Sequence, residues 1–312
     1  MTDLLNFYIS RFKSIKRANR TGKPKAPHKP ILLVTLIDWL DLTEQSENTF
    51  FIQPELILHF RVTWEKLLQE EIRDFWLPFY HLSSDGFWHL FNEKGKKVEE
   101  RLQTFNQLRE KVQYGKFDPA LFDLLSIKKN RERLKQELVE YYFPETSSTF
   151  FTSYIPSYTQ LEIDFLEEQT VAYKQVTGKK GEERQFVRKE VFKKTIPQIY
   201  QHTCAVTELR VEGYSGSYLI EACHIIPHYK TGDDRISNGI ALSPNMHRAF
   251  DRGWFSVDES YKIIVANNFR EQSPITKGIK EWEGKSIILP SDTQLYPSQD
   301  SLEWHRTHIF NQ

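Results

Sequence analysis

Apolar residues recur at helical spacing near the start of the chain, at Leu4, Leu5, Tyr8, Ile9 and Phe12. Residues three and four apart lie on one face of a helix, so residues 4–15 are predicted to form an amphipathic helix. Residues 31–42 are apolar at nearly every position, which predicts a buried helix. Residues 121–143 are predicted to be helical as well.

Short runs of aromatic and β-branched residues predict strands between these helices. Residues 50–54 are predicted to form one such short strand, which precedes a predicted helix that ends at Leu68. Residues 75–90 are rich in aromatic residues and contain the turn sequence Ser-Asp-Gly, which predicts a β-hairpin. Residues 254–265 predict a second hairpin in the same way.

Polar turn residues replace the apolar pattern at Pro144-Glu-Thr-Ser-Ser-Thr149, which indicates a domain boundary. A length of 312 residues is also typical of two domains. We therefore predict an α+β protein of two domains. Residues 1–145 are predicted to form a mixed α/β domain and residues 186–312 the second domain. Residues 146–185 are predicted to be a linker that is partly helical from Leu161 to Tyr173.

The second domain contains a set of residues with chemical potential, beginning with Glu221-Ala-Cys-His-Ile-Ile-Pro-His228. The apolar run around His224 predicts a strand, and the Gly- and Asp-rich residues after it predict a loop. Ser243-Pro244 is typical of a helix start, and this helix carries His247 and Asp251 on one face. Strand, loop and helix therefore bring one histidine from each flank to a common point.

This ordered set resembles the HNH nuclease family over residues 188–265. The resemblance rests on His224 together with Cys204-Ala-Val-Thr207, Asn238-Gly-Ile-Ala-Leu242 and Asn245-Met-His-Arg-Ala-Phe-Asp251. It implies a ββα-metal fold around one divalent ion and hydrolysis of DNA. It further implies that His224 is the general base, that Asn238 orients the histidine loop, and that His247 is a metal ligand. An isolated histidine is more often an ordinary hydrogen-bonded residue, but three motif members in order favour the nuclease.

Cys223 departs from the pattern of this family, in which Asp or His commonly precedes the base as a second metal ligand. Side chains alternate along a strand, so Glu221 lies on the same side as Cys223 and is the first candidate for this ligand. Asp251 is the competing candidate, and Glu221 can also be a solvated carboxylate at a strand end. Carboxylates favour Mg²⁺ or Mn²⁺, with Co²⁺ or Ni²⁺ as alternatives.

Composition restricts the compartment and the kind of metal site. Only two cysteines occur, which excludes a disulfide framework and a four-cysteine zinc site. The N-terminus lacks the pattern of a signal peptide, and no apolar run is long enough to cross a membrane. We therefore expect a cytoplasmic protein.

Net charge is zero, with 42 basic and 42 acidic residues, but the charges are unevenly distributed. Residues 11–29 contain no acidic residue, and their cations include Arg17, Arg20 and Lys23. Such a stretch is typical of a surface that contacts phosphates of nucleic acid. A solvated basic face is the alternative interpretation.

Two further segments, Ala26-Pro-His-Lys-Pro-Ile-Leu-Leu33 and Leu77-Pro-Phe-Tyr-His-Leu-Ser-Ser-Asp-Gly-Phe-Trp88, resemble the sulfur-binding domain family. Those domains precede HNH modules in McrA-like type IV restriction endonucleases that cut phosphorothioate-modified DNA. The resemblance implies that His28, Lys29 and Pro78 line a sulfur pocket. His81 replaces a residue packed near the sulfur in the family, and Leu77 replaces an aromatic residue. Pro78 and His28 can also have structural roles, in a turn and at a helix entry.

These observations together predict a modification-dependent restriction endonuclease that reads modified double-stranded DNA and acts as a homodimer. Dimerisation is expected because one single-metal site breaks one strand per engagement. Two alternatives stay open at this point. The first is a type II enzyme that reads an unmodified sequence, and the second is a DNA-binding or sensing protein whose nuclease site is degenerate at Cys223.

Overall fold

A computed structural model describes residues 2–22, 24–68, 70, 72, 74–153, 157–168, 181–272 and 278–310. The chain divides into two compact units. The N-terminal unit comprises Met1–Ser157 with Thr177–Val187, and the C-terminal unit comprises Tyr158–Val176 with Arg188–Gln312. None of the described helices is long and apolar enough to cross a membrane.

The N-terminal unit consists of helices around a small antiparallel sheet. Its elements are α1 (Thr2–Lys13), α2 (His28–Leu42), β1 (Phe50–Phe51), α3 (Pro54–Leu67), α4 (Trp76–His81), β2 (Trp88–Phe91), α5 (Phe105–Lys111), β3 (Tyr114–Phe117), α6 (Pro119–Ser126), α7 (Lys128–Tyr142) and α8 (Ser147–Thr152). The strand order is β1-β3-β2. Helix α2 is the centre of the core, as its apolar sequence predicts, and α3, α4 and α7 pack against it.

The predicted hairpin over residues 75–90 is wrong. Its first half forms helix α4 and a 3-10 turn, and only its second half forms a strand, β2, which pairs with β3. The carboxyl group of Glu183 accepts hydrogen bonds from the backbone N–H groups of Phe75 and Trp76, at 2.9 and 2.8 Å. These groups lie at the start of α4, so a residue more than 100 positions away stabilises the helix.

Two helix predictions are correct in kind but need new boundaries. Helix α2 starts at His28, three residues before the predicted start, with Pro30 in its first turn. The single helix predicted over residues 121–143 is two helices, because Ile127 is extended. Arg131 supports the break, since its guanidinium donates to the carbonyls of Leu125 and Ser126 at the end of α6.

The C-terminal unit contains two strand pairs and several helices. Its elements are α9 (Tyr158–Glu167), α10 (Glu182–Ile199, counted with the N-terminal unit up to Val187), β4 (Glu221–His224), α11 (His228–Thr231), β5 (Gly239–Leu242), α12 (Pro244–Asp251), β6 (Phe255–Val257), β7 (Ile263–Val265) and α13 (Gln299–His308). Strands β4 and β5 pair antiparallel, with His224 opposite Gly239. A Cβ at Gly239 would lie 2.4 Å from Ile196 Cδ1, so glycine allows α10 to approach the strand. The predicted hairpin of β6 and β7 is confirmed.

The segment predicted as a linker, residues 146–185, contains helical residues at several points. Helix α8 packs on α3 in the N-terminal unit, and α9 lies in the C-terminal unit beside Ile236–Asn238. A helix was predicted from Leu161 to Tyr173, and α9 covers the part up to Glu167. The rest of that prediction, from residue 169, lies outside the described residues. The division into two domains and a linker therefore stays a prediction.

Candidate active site and N-terminal pocket

Strands β4 and β5 and helix α12 bring the predicted site residues of the C-terminal unit together. Helix α12 packs on both strands and begins with Pro244 after Ser243, as predicted. Glu221 Oε2 lies 2.8 Å from His247 Nδ1, and Asp251 Oδ2 lies 3.6 Å from His247 Nε2. His247 is therefore flanked by both carboxylates that the sequence offered as competing ligands.

Cys223 completes this group, which we call the His247 cluster (Glu221, Cys223, His247 and Asp251). Ligand atoms of Cys223, His247 and Asp251 all lie within 4.8 Å of one another. Burial, and after it the charges of Asp251 and Glu221, raise the pKa of the Cys223 thiol well above its ordinary value. Without a bound metal the thiol therefore stays protonated at neutral pH, and a hard cation prefers the imidazole and the two carboxylates as donors.

Asp251 connects the His247 cluster with His224. Burial raises the pKa of Asp251, while the neighbouring His247 and His224 act in the opposite direction. Both histidines therefore lie within electrostatic reach of one carboxylate.

His224 has a further partner that was not predicted, the carboxylate of Asp234. His224 Nε2 lies 2.9 Å from Asp234 Oδ1, and the imidazole stacks on the ring of Phe192 at a centroid distance of 3.9 Å. The other oxygen, Oδ2, lies 3.4 Å from His228 Nε2 and 3.8 Å from Arg188 Nε. The Asp234 side chain is only 2% exposed, whereas that of His224 is 23% exposed.

The cations around Asp234 compensate for its burial. Burial alone would raise the pKa of Asp234, but the hydrogen bonds from His224 and His228 outweigh it and lower the pKa to about 2. The hydrogen bond to Asp234 in turn raises the pKa of His228, against the effect of burial. Asp234 is therefore a carboxylate at neutral pH.

Asn238 fixes the chain that follows His224. Its fully buried side chain accepts a hydrogen bond from Ile226 N–H at 2.8 Å and donates to the carbonyls of Ile226 and Asp233, both at 3.0 Å. Three hydrogen bonds from one amide join the two ends of the loop. This geometry is what a residue that orients the histidine loop requires.

The N-terminal unit contains a pocket of about 380 Å³. It is lined by Lys16, Arg17, Ala18, Ala26, His28, Lys29, Leu77, Pro78 and His81. The structure thus brings the two motifs of the sulfur-binding resemblance to one concave surface. His28 and Lys29 lie in the first turn of α2, with the His28 ring edge-on to Trp64, and Pro78 and His81 lie in α4.

Acidic residues from distant segments neutralise several cations of the basic stretch. Lys29 Nζ lies 2.7 Å from Asp85 Oδ2, and the same carboxylate accepts from Lys16 N–H at 2.9 Å. Arg20 pairs with Glu70 at 2.7 Å, whereas Arg17 lies over the ring of Tyr142. Lys23 lies outside the described residues. The basic stretch of residues 11–29, which contains no acidic residue, therefore forms a positively charged surface only in part.

His81 contributes an uncharged group to the pocket. Burial, and after it the charge of Lys29, lowers the pKa of His81. At neutral pH the pocket therefore combines apolar walls and the neutral imidazole of His81 with Lys29, whose charge is paired with Asp85, and with the cations of Lys16 and Arg17. Asp85 and Asp234 were both missed in the sequence. Asp234 had one local signal, because it belongs to an Asp-Asp pair in the loop between the two motif strands.

Comparison with known proteins identifies the module around His224. Residues 204–258 match the family model of the HNH endonucleases. This match covers both strands, the loop and the helix described above, so the predicted HNH endonuclease domain and its place in an α+β fold are confirmed. The match is confined to residues 204–258 and identifies this module as an HNH endonuclease domain.

Two solved structures show distant similarity. The modification-dependent TagI restriction endonuclease is 23% identical over 38% of this chain, with a TM-score of 0.29, and the match spans 38% of that protein. The type IV phosphorothioation-dependent restriction endonuclease ScoMcrA is 10% identical over 78% of this chain and 94% of its own, with a TM-score of 0.31. No curated protein matches the chain significantly.

Proposed function

We propose that this protein is a metal-dependent restriction endonuclease that reads modified double-stranded DNA with its N-terminal unit and cuts it with its C-terminal unit. The observation that carries the proposal is that His247 lies between the carboxylates of Glu221 and Asp251, and His224 follows on the same strand as Glu221, within a matched HNH domain. Such a site joins a base to a metal-binding group, which phosphodiester hydrolysis requires.

The donor set of the His247 cluster fits a divalent cation. His247 would hold the ion together with Glu221 or Asp251, because carboxylate and imidazole suit Mg²⁺, Mn²⁺, Co²⁺ or Ni²⁺ better than a protonated thiol does. When bound, the ion supplies a Lewis acid for the oxygens of the scissile phosphate. The presence of two carboxylates beside His247 argues against a site made degenerate by Cys223.

The residues of the chain account for the proton transfer. His224 accepts a proton from a water molecule as the water oxygen forms a bond to phosphorus, since a neutral imidazole offers a lone pair to the proton. The bond from phosphorus to the 3′ oxygen breaks, and that oxygen takes a proton from solvent. The products are a 5′ phosphate and a 3′ hydroxyl. Asn238 holds the loop after His224 in place during this step.

The N-terminal pocket supports a modified phosphate as the feature that is read. Sulfur is larger, softer and less hydrated than oxygen, so it gains from apolar contact with Leu77 and Pro78. His28, Lys29 and His81 offer polar groups for the remaining oxygens, and Arg17 and Arg20 lie nearby in the chain for flanking phosphates. Phosphorothioate is the modification that this combination favours. Lys23 belongs to the proposal on sequence grounds only.

The proposal also covers the oligomeric state of the enzyme and the compartment in which it acts. The enzyme acts as a homodimer, so that two sites cut both strands, and it acts in the cytoplasm against incoming modified DNA. Sedimentation of the protein alone and on a modified duplex tests the first part. A strict monomer in both samples would contradict it.

The nuclease itself is tested with supercoiled plasmids prepared with and without phosphorothioate linkages. We expect nicked and linear products from the modified plasmid in Mg²⁺ or Mn²⁺, and none in EDTA. Co²⁺ and Ni²⁺ are included because the donor set accepts them. Intact plasmid with every cation, at protein concentrations that give full binding, would contradict the proposal.

A further inference from the structure

We propose that Asp234 is a positioning residue for the cleavage reaction, because its buried carboxylate fixes the tautomer and ring orientation of His224. This inference rests on the proposed role of His224 as general base. It adds to the site a residue that lies outside the His247 cluster.

The hydrogen bond between the two side chains determines which nitrogen can act as base. Asp234 is ionised at neutral pH and so can only accept a hydrogen bond. Nε2 of His224, 2.9 Å from Asp234 Oδ1, must therefore carry the proton. A neutral imidazole has one N–H group, so the lone pair is on Nδ1. No described residue forms a hydrogen bond with Nδ1.

A second contact restricts the plane of the ring. The imidazole stacks on Phe192 with an angle of 9° between the rings. The His224 ring is thus bonded to the Asp234 carboxylate at one edge and packed on Phe192 at one face. Together these contacts leave a single orientation for Nδ1. An oriented base of this kind needs no reorganisation when the water arrives.

The surroundings of Asp234 explain how a buried carboxylate can keep this role. Arg188, itself 1% exposed, lies 3.8 Å from Oδ2 and is held by the carbonyls of Phe165 and Leu166 at 3.0 and 2.8 Å. His228 faces the same oxygen at 3.4 Å. These groups stabilise the anion, so Asp234 does not need the proton of His224.

The wild-type protein provides the most direct test. Histidine labelled with ¹⁵N is incorporated, and the His224 signals are assigned from a His224→Gln sample. At a pH where the ring is neutral, we expect the Nε2–H tautomer with an unprotonated Nδ1. An Nδ1–H tautomer, or an equal mixture of the two, would overturn the inference. This readout does not depend on cleavage, so it stands or falls separately from the proposed nuclease.

Asp234→Asn tests the catalytic consequence, with Asp233→Asn as the matched control. Both changes remove one carboxylate from neighbouring positions, but Asp233 pairs with Arg235 rather than with a histidine. For Asp234→Asn we expect kcat to fall roughly 10²- to 10⁴-fold, with KM and calorimetric Mn²⁺ affinity unchanged. We also expect the His224 tautomer signal to change. Equal losses in both variants, or an unchanged tautomer in Asp234→Asn, would contradict the role.

Thermal unfolding shows whether Asp234→Asn folds, and it is measured before any rate is interpreted. If this variant does not fold, the tautomer seen in the wild-type spectrum decides the inference alone. Failure of the proposed nuclease has a different signature. In that case the tautomer is as expected, but His224→Gln and the wild type are equally inactive on every substrate.

Discussion

The active site and the N-terminal pocket are each organised around one buried aspartate, but the two aspartates come from different places in the sequence. Asp234 lies ten positions after His224, within the same strand-loop-helix module. Asp85 lies 56 positions from Lys29, in a different segment of the unit. The first site is therefore largely encoded in one local module, whereas the second exists only once distant segments pack together.

The two aspartates also have different consequences for function. Asp234 orients a histidine whose second nitrogen stays available for a proton. Asp85 neutralises the ammonium group of Lys29, so the pocket attracts a phosphate less strongly than its sequence suggests. Recognition in the pocket then depends more on apolar contact, and this difference can be tested.

The largest expected effect is on cleavage. His224→Ala should lower the single-turnover rate roughly 10²- to 10⁴-fold, because it removes the general base, while leaving DNA affinity unchanged. His308→Ala, at an exposed position of α13, is the matched histidine control. Undiminished cleavage by His224→Ala would assign the chemistry to another group.

The next effect concerns the stability of the active-site module. Asn238→Ala removes the three hydrogen bonds of a buried side chain and leaves the N–H group of Ile226 without this partner. We expect a loss of about 2–4 kcal/mol, measured by urea unfolding. A loss of less than about 0.5 kcal/mol, the range of ordinary surface changes, would mean that the loop does not depend on this clamp.

Pro78→Ala addresses the pocket. Alanine keeps helix α4 and removes about two methylene groups of apolar contact, at about 0.8 kcal/mol each. We expect the preference for a phosphorothioate duplex over a plain one to fall roughly tenfold in competition binding, with little change in affinity for the plain duplex. Equal loss on both duplexes would make Pro78 a structural residue.

Charge pairing in the basic stretch predicts unequal roles for two arginines. Arg17→Gln should reduce the salt dependence of DNA binding by about one counterion. Arg20→Gln should reduce it less, because Glu70 already neutralises Arg20. The slopes are measured from about 50 to about 300 mM salt, on either side of the physiological ionic strength of roughly 150 mM. Identical slopes for the two variants would show that this ion pair does not persist on DNA.

The smallest expected effect is on the pH dependence of stability, and it comes from a third buried carboxyl group, that of Glu183. Burial raises its pKa to about 8, in contrast to about 2 for Asp234. The folded protein therefore binds the Glu183 proton more tightly than the unfolded chain does. Its contribution to stability is complete below the ordinary pKa of 4.5 and is lost as pH rises to about 8.

We expect the urea midpoint of the wild type to fall between about pH 6 and about pH 9, a range that contains the raised pKa of Glu183 at about 8. The urea midpoint of Glu183→Gln should fall less over the same pH range, because the glutamine side chain has no ionisable proton. The same decline in both proteins would assign the pH dependence to other groups. Asp234 adds nothing in this range, because its contribution is lost only as pH falls towards 2.

The accuracy of the sequence predictions follows the distance over which each feature is determined. Strand β4, helix α12 and the hairpin of β6 and β7 were predictable, because their periodicity and turn residues are local. Helix α4 was not, since Glu183 caps it from a distant segment. The residues 84–86 do form a turn, but the strand after it pairs with β3 rather than folding back on its neighbour.

The candidate site shows the same division. The order of His224, Asn238 and His247 predicted a common point, and alternation along β4 placed Glu221 beside His247. The roles of Arg188 and Phe192 could not be predicted, because only the packing of α10 on the strand pair brings them to Asp234 and His224. The partners of Lys29 and Arg20 were hidden for the same reason.

Cleavage of two matched duplexes, one with a single phosphorothioate linkage and one without, tests the central claim most directly. Both are incubated with wild-type protein in Mn²⁺, with His224→Ala as the inactive control. We predict that the wild type cuts the modified duplex and leaves the plain one intact. Equal cutting of both duplexes would contradict the claim that the N-terminal pocket reads the modification.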